Sequence, residues 1–171
     1  HDVEPVAQVR VIEGGTFPDV YAYKVNMSCN HCAEPACLPT CPTGAIHKRT
    51  KDGIVDIDST LCIGCRRCEA ACPFGALQFI PEQNIVSKCN MCVDRLEVGL
   101  KPACVSACVG NALDFGVIEN VPEKREQARV EIPGFPSPEI THPNIRFQQI
   151  KQLPDEMKRT DSMPVKYHKN E

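Results

Sequence analysis

Twelve cysteines fall between positions 29 and 108 of this 171-residue chain, and their spacing carries most of its chemistry. Cys62, Cys65, Cys68 and Cys72 are separated by two, two and three residues, and Pro73 closes the run. In runs of that form the first three thiolates grip one face of an iron-sulfur cubane, while the fourth reaches a different cluster. Two intervening residues let a loop wrap a cluster corner with its N–H groups facing sulfur, and three carry Cys72 across a helical turn. Pro73 then stops that helix, having no N–H to continue it.

Cys29, Cys32, Cys37, Cys41 and Pro42 repeat the device with two extra residues in the loop. Two such runs make a pseudo-two-fold pair. The expected ligand sets are Cys29, Cys32, Cys37 and Cys72 for one cluster, and Cys62, Cys65, Cys68 and Cys41 for the other. A third set, Cys89, Cys92, Cys104 and Cys108, keeps the outer spacings around an eleven-residue insertion, with Val109 where proline is expected. It reads as a third cluster, whose Cys108 completes the set or points at a fourth cluster. The cofactors expected are thus three [4Fe-4S] clusters, with room for a fourth.

Two other chemistries use paired cysteines. Zinc takes C-x2-C pairs, and an even cysteine count suits a disulfide scaffold. Four cysteines packed as CxxCxxCxxxCP have cluster spacing instead, and cysteine at about 7%, 12 of 171 residues, lies below the disulfide-rich range. His31, between two ligands, reads as an outward-facing loop residue rather than a ligand. Arg66 and Arg67, with Lys48, Arg49 and Lys51, either raise cluster potentials or form a solvated surface. Gly64 and Gly75 read as tight-loop positions with close approach to sulfide. No nucleophile with a matching base and no phosphate-binding glycine loop occurs, so no catalytic machinery is expected.

These loops need elements to hold them. Cys29 to Ile46 and Cys62 to Leu77 each end in Cys-Pro, then Gly-Ala and an apolar residue, an internal repeat of one unit. Val20 to Met27 has strand composition, Gly14-Gly15 and Pro18-Asp19 mark turns, and Gly53 to Asp58 alternates as a half-buried strand does. Residues 33–40 and 66–72 allow one or two helical turns at most. The predicted fold is α+β: tandem bacterial-ferredoxin-like cluster-binding repeats of short strands and helices, with a long irregular C-terminal arm. Its parts are a lead segment at 1–28, a double-cluster unit at 29–80, a third quartet at 81–118 and a tail at 119–171. That tail holds seven prolines, Pro122, Pro133, Pro136, Pro138, Pro143, Pro154 and Pro164. It reads either as a loose terminus or as an extended arm that docks on a partner subunit, and Ile132, Phe135, Ile140, Ile145 and Phe147 favour the arm.

Composition narrows the classes. Aromatic residues make up 5%, Trp is absent and Pro (15) outnumbers Gly (10), so metal-ligand bonds must supplement a sparse core. A net charge of -3 offers no basic footprint for nucleic acid. No run of roughly 18 apolar residues spans a bilayer, so a membrane role would need another subunit as anchor.

Together these motifs resemble a family: the iron-sulfur electron-transfer (beta) subunit of the dimethyl sulfoxide reductase type of molybdopterin oxidoreductase. The resemblance runs from about Arg10 to Asn120, through EGGTFPDVYAY, SCNHC, PTGAIHKR, CIGCRRC, ACPFGA, KCNMCVDR, KPACVSAC and ALDFG, and does not cover the tail. It implies a non-catalytic relay between a molybdenum- or tungsten-containing catalytic subunit and a membrane quinone or cytochrome subunit. It also implies a place at the cytoplasmic membrane of a prokaryote, the periplasmic side favoured. A free-standing polyferredoxin is the alternative.

The family carries four quartets, the second and third exchanging their last cysteines and the first exchanging with the fourth. The fourth corresponds to Cys89 to Cys108. The resemblance therefore implies that Cys108 serves a cluster whose other ligands precede His1.

Overall fold

The structure, a computed structural model, describes residues 8–120, 128–132 and 135–148. It opens with a ribbon of two antiparallel strands, β1 (Gln8–Thr16) and β2 (Asp19–Met27), paired from Gln8↔Met27 to Thr16↔Asp19. The turn lies at Phe17-Pro18, whose peptide is cis. Gly14 and Gly15 do not form the expected turn: they stay in β1 opposite Tyr21 and Val20. Proline lacks the ladder N–H and is forced to the tip, whereas a two-stranded ribbon tolerates glycine. The base of the ribbon is buried at Val25 and Met27, while Val9, Val11 and Val20 are exposed.

Each of the first two cysteine runs delivers the chain into a small hairpin. The first pairs β3 (Ile46–Lys48) with β4 (Val55–Ile57), and the second pairs β5 (Gln78–Ile80) with β6 (Ile85–Ser87). Ile46, Val55 and Val86 from β3, β4 and β6, with Leu77 just before β5, pack with Cys37 and Cys68 into a buried cluster. A second cluster joins Val25, Met27, Cys32, Phe74 and Ala76. Cysteines sit in both, so the core and the metal-binding chemistry share the same side chains.

Among the described residues the three α-helices have five residues each: α1 (Arg67–Ala71), α2 (Val93–Glu97) and α3 (Ala103–Ala107). α1 ends at Cys72 because Pro73 follows. Residues 33–40 form successive turns rather than a helix, with Leu38 N–H donating to the Pro35 carbonyl at 3.1 Å. No helix among the described residues is long and apolar enough to cross a membrane.

The tail differs from expectation where it is described. Residues 128–132 and 135–148 do not extend away: β7 (Ala128–Arg129) pairs with β8 (Phe147–Gln148), and residues 141–144 lie on this chain's own first cysteine loop. Ala33 N–H donates to the His142 carbonyl (2.8 Å), Glu34 N–H to Thr141 (3.1 Å) and Asn144 N–H to Asn30 (3.0 Å). The Asn144 amide also donates to the His31 carbonyl at 2.8 Å. Phe135 stacks on Phe74, with centroids 5.0 Å apart, and meets the edge of Phe147 at 5.1 Å. Apolar burial is the cause, since Ile132, Phe135 and Phe147 all pack against the second core cluster. Pro122, Pro133, Pro154 and Pro164 lie outside the described residues.

Candidate metal centres

The cysteine loops share one backbone device. The second residue between the first two cysteines of each set is left-handed: His31 (φ 44), Gly64 (φ 68) and Met91 (φ 60). That conformation bends the loop so that N–H groups turn inward toward sulfur. Met91 N–H donates to Cys89 Sγ at 3.4 Å, Val86 N–H to Cys62 Sγ at 3.4 Å and Ala103 N–H to Cys92 Sγ at 3.4 Å.

The last cysteine of each set opens a second common turn. Gly44 (φ 68), Gly75 (φ 60) and Asn111 (φ 48) are all left-handed, and their N–H groups donate to the carbonyls of Cys41, Cys72 and Cys108 at 3.4, 3.2 and 3.1 Å. Asn111 takes the glycine position in the third set because asparagine tolerates this region better than other side chains. The segment CVGNAL thus matches CPTGAI and CPFGAL despite Val109, and its Ala112 N–H reaches Cys108 Sγ at 3.2 Å.

Cys29, Cys32, Cys37 and Cys72 line one cavity, about 340 Å³ of space partly open to solvent, walled by Pro35, Ala36, Val55, Phe74, Ala76 and Leu77. Cys41, Cys62, Cys65 and Cys68 line another of about 320 Å³, with Ile46, Ile57, Ile63 and Val86. Each cavity draws three cysteines from one run and the fourth from the other. In the third set Cys89 feels the charges of Cys104 and Cys92. Cys108 stands at the surface, its thiol lowered from its ordinary pKa first by the Ala112 and Leu113 N–H groups.

These surroundings fit four-iron clusters. Among the described residues no His, Cys, Asp or Glu side chains gather round a single ion; the thiols ring a space instead, with apolar walls and inward N–H groups. Burial pushes Cys37 up to about 12 and Cys68 up to about 11, and raises Cys29, Cys32 and Cys89. Iron binding there must therefore displace protons. Cys41 is lowered: burial opposes this, but the Thr43 hydroxyl and neighbouring N–H groups outweigh it.

His31 requires a correction, because it is not an outward-facing loop residue. It is 3% exposed, its Nδ1 accepts the Val55 N–H at 3.1 Å, and burial with the nearby Lys88 charge lowers its pKa to about 4. The surrounding cations are mostly engaged elsewhere. Lys48 donates to the Cys32 and Ala33 carbonyls, bracing the first loop. Arg49 pairs with Asp52 and Glu97, while Arg66 pairs with Glu69 at 2.7 Å and lies over Phe79. Gly64 and Gly75 are left-handed as expected, but their close neighbours are protein: an added Cβ would meet the Asn84 carbonyl at 2.5 Å and the Arg10 guanidinium at 2.6 Å.

Two further residues went unnoticed in the sequence. Lys88 is 6% exposed, donating to the Cys89 carbonyl at 3.0 Å and to the Val55 carbonyl. Thr141 is 1% exposed and lines the first cavity. Lys88 directly precedes a C-x2-C pair, a signal present in the sequence; nothing in the local sequence marks Thr141.

Residues 20–118 match the family model of the 4Fe-4S dicluster domain. One chain of the anaerobic dimethyl sulfoxide reductase of Escherichia coli K12 is 46% identical over 127 residues, covering 74% of this chain and 61% of its own length. A subunit of the sulfite dehydrogenase of Allochromatium vinosum is 43% identical over 119 residues, 66% of this chain and 50% of the relative. The thiosulfate reductase electron transfer subunit PhsB of Salmonella typhi is 40% identical over 126 residues, 73% and 65% respectively. The protein thus spans about three fifths of the length of the first of these relatives. With the family model matching more than half of its length, the chain belongs to the 4Fe-4S dicluster family.

Proposed function

We propose that this chain is a non-catalytic electron-transfer subunit, relaying electrons through [4Fe-4S] clusters between a molybdopterin catalytic subunit, containing molybdenum or tungsten, and a membrane quinone or cytochrome partner. The observation that carries the reading is the crosswise lining of the two cavities, each with four cysteines. The names of the relatives support it, since they are chains or subunits of reductases and a dehydrogenase, one called an electron transfer subunit.

In this reading Cys29, Cys32, Cys37 and Cys72 hold one cluster, and Cys62, Cys65, Cys68 and Cys41 a second. Cys89, Cys92 and Cys104 hold a third, with Cys108 turned to a fourth cluster whose other ligands are not among these cysteines. Each cluster, when bound, stores and releases one electron at a time. The chain contributes thiolates, N–H donors that stabilise charge on sulfur, and apolar walls that keep water from the cluster.

Native purification tests the proposal. About twelve iron atoms and as much labile sulfide per chain are expected, or more if a fourth cluster is bound, with a brown absorbance that dithionite bleaches and a molybdenum- or tungsten-containing chain copurifying. Iron near two per chain would refute the cluster reading, and the clusters without a copurifying catalytic chain would mark a free-standing ferredoxin.

A further inference from the structure

The two paired cavities are alike in their cysteines and unlike in the buried polar side chains around them. Among the described residues the buried polar or charged side chains are Asn30, His31, Lys88 and Thr141, and all four lie on the side of the first cavity. Asn30 and Thr141 line it. The Asn30 Nδ2 is buried and has no hydrogen-bond partner, yet buried donors are almost always satisfied. The Thr141 hydroxyl lies beside the Cys32 thiol. Lys88 anchors to the carbonyl of Val55, which lines the same cavity, and its charge is felt by Cys29 and Cys37 as well as by Cys89 of the third set. A buried ammonium is costly without an opposing charge, and the thiolates of this cavity supply one.

None of these four residues lines the second cavity, where the Thr43 hydroxyl lies 3.6 Å from Cys41 Sγ but at an exposed position. Its one cation, Arg66, is solvent-exposed and already bound by Glu69, so solvent and its partner screen it.

We propose that Lys88, Thr141 and Asn30 are tuning residues that raise the reduction potential of the cluster held by Cys29, Cys32, Cys37 and Cys72 above that of its partner in the second cavity. The inference rests on the cluster-relay reading. Its physics is direct: reduction adds one electron to a buried, negatively charged site, and a fixed cation or a donor aimed at sulfur favours the more negative state. The orphaned Asn30 donor thereby acquires an acceptor, the Thr141 hydroxyl faces added charge on its sulfur neighbour, and Lys88 acquires its counter-charge. Two of the three contributors lie outside the paired cysteine runs. Lys88 stands at the head of the third set, and Thr141 comes from the returning tail.

The test is an EPR-monitored redox titration of the full chain in its native complex, unsubstituted and with Thr141→Val or Lys88→Gln. Thr141→Val keeps the shape and removes the hydroxyl. With the potential poised at the unsubstituted midpoint, the reduced-to-oxidised ratio of one cluster should fall about threefold in Thr141→Val, the loss of one hydrogen bond. In Lys88→Gln the ratio for that same cluster should fall about tenfold, equivalent to 59 mV for a one-electron couple. Unmoved midpoints in Thr141→Val at full iron and sulfide content would overturn the proposal, as would the two variants displacing different clusters. If Lys88→Gln fails to load iron, Thr141→Val alone decides. Absence of labile sulfide from the unsubstituted chain would instead defeat the cluster reading beneath it.

Discussion

Phe135→Ala should loosen the returning tail from the first cysteine loop without disturbing the hairpins. Phe135 stacks on the fully buried Phe74 and meets Phe147 edge-on, at 5.0 and 5.1 Å. Such pairs contribute about 0.5–1.5 kcal/mol each beyond area burial. Phe135 is only half-buried, so the cost stays below the roughly 3–5 kcal/mol of a fully buried Phe→Ala change. About 2 kcal/mol is expected. Three amides report on this contact, those of Ala33, Glu34 and Asn144, because each is bonded across it. Hydrogen exchange by mass spectrometry on the cluster-loaded protein should find them opening about 30-fold more often. The Arg49 amide, bonded within the first hairpin to Ile54 at 2.8 Å, should not change. Equal exchange at Ala33, Glu34 and Asn144 in both proteins would refute the claim that aromatic packing holds the tail in place.

Cys41→Ser should disturb the cluster of Cys62, Cys65 and Cys68, whose cavity it lines, lowering iron by about four per chain or altering one EPR signal; an altered signal that matches the one displaced by Thr141→Val would show the crosswise assignment to be wrong. Gly64→Ala combines a left-handed backbone with a Cβ 2.5 Å from the Asn84 carbonyl. At about 1–2 kcal/mol for the backbone alone, it should lower the melting temperature of the loaded protein and its iron retention. Unchanged melting would mean that this loop is not held against Asn84.

Much of this arrangement was legible because ligand spacing is a local property. The runs at Cys29 and Cys62 specify short loops, and the apolar residues after each Gly-Ala, Ile46 and Leu77, enter the strands that build the core. Where reasoning depended on long-range packing it failed. His31 looked like a loop tip, yet Asn144, 113 positions later, holds its carbonyl and the tail closes over it. The proline content of the tail argued against regular structure, correctly in that β7 and β8 have two residues each, but irregular backbone can still pack. Asn111 was recoverable: the three segments after the fourth cysteine align without gaps, and asparagine is the usual substitute for a left-handed glycine.

The alignment of the first two runs also explains why their cavities differ. Position by position, Asn30 and His31 of the first loop correspond to Ile63 and Gly64 of the second. Both loops turn through the same left-handed position, at φ 44 and φ 68, so the turn itself does not require polar side chains. His31 accepts the strain of that conformation where glycine would be free of it. What it gains is specific: its Nδ1 accepts the Val55 N–H of β4, and its carbonyl receives Asn144. At the second loop Gly64 leaves room for the Asn84 carbonyl of the β5–β6 turn, and Ile63, where the first loop has a buried Asn30, is an apolar side chain at the open rim of its cavity, 58% exposed. One backbone solution thus serves two surroundings, a polar contact with the tail and a close approach to a hairpin turn. Equal cysteine geometry therefore does not make the two centres electrostatically equal. The difference is set by residues that the repeat leaves free to vary.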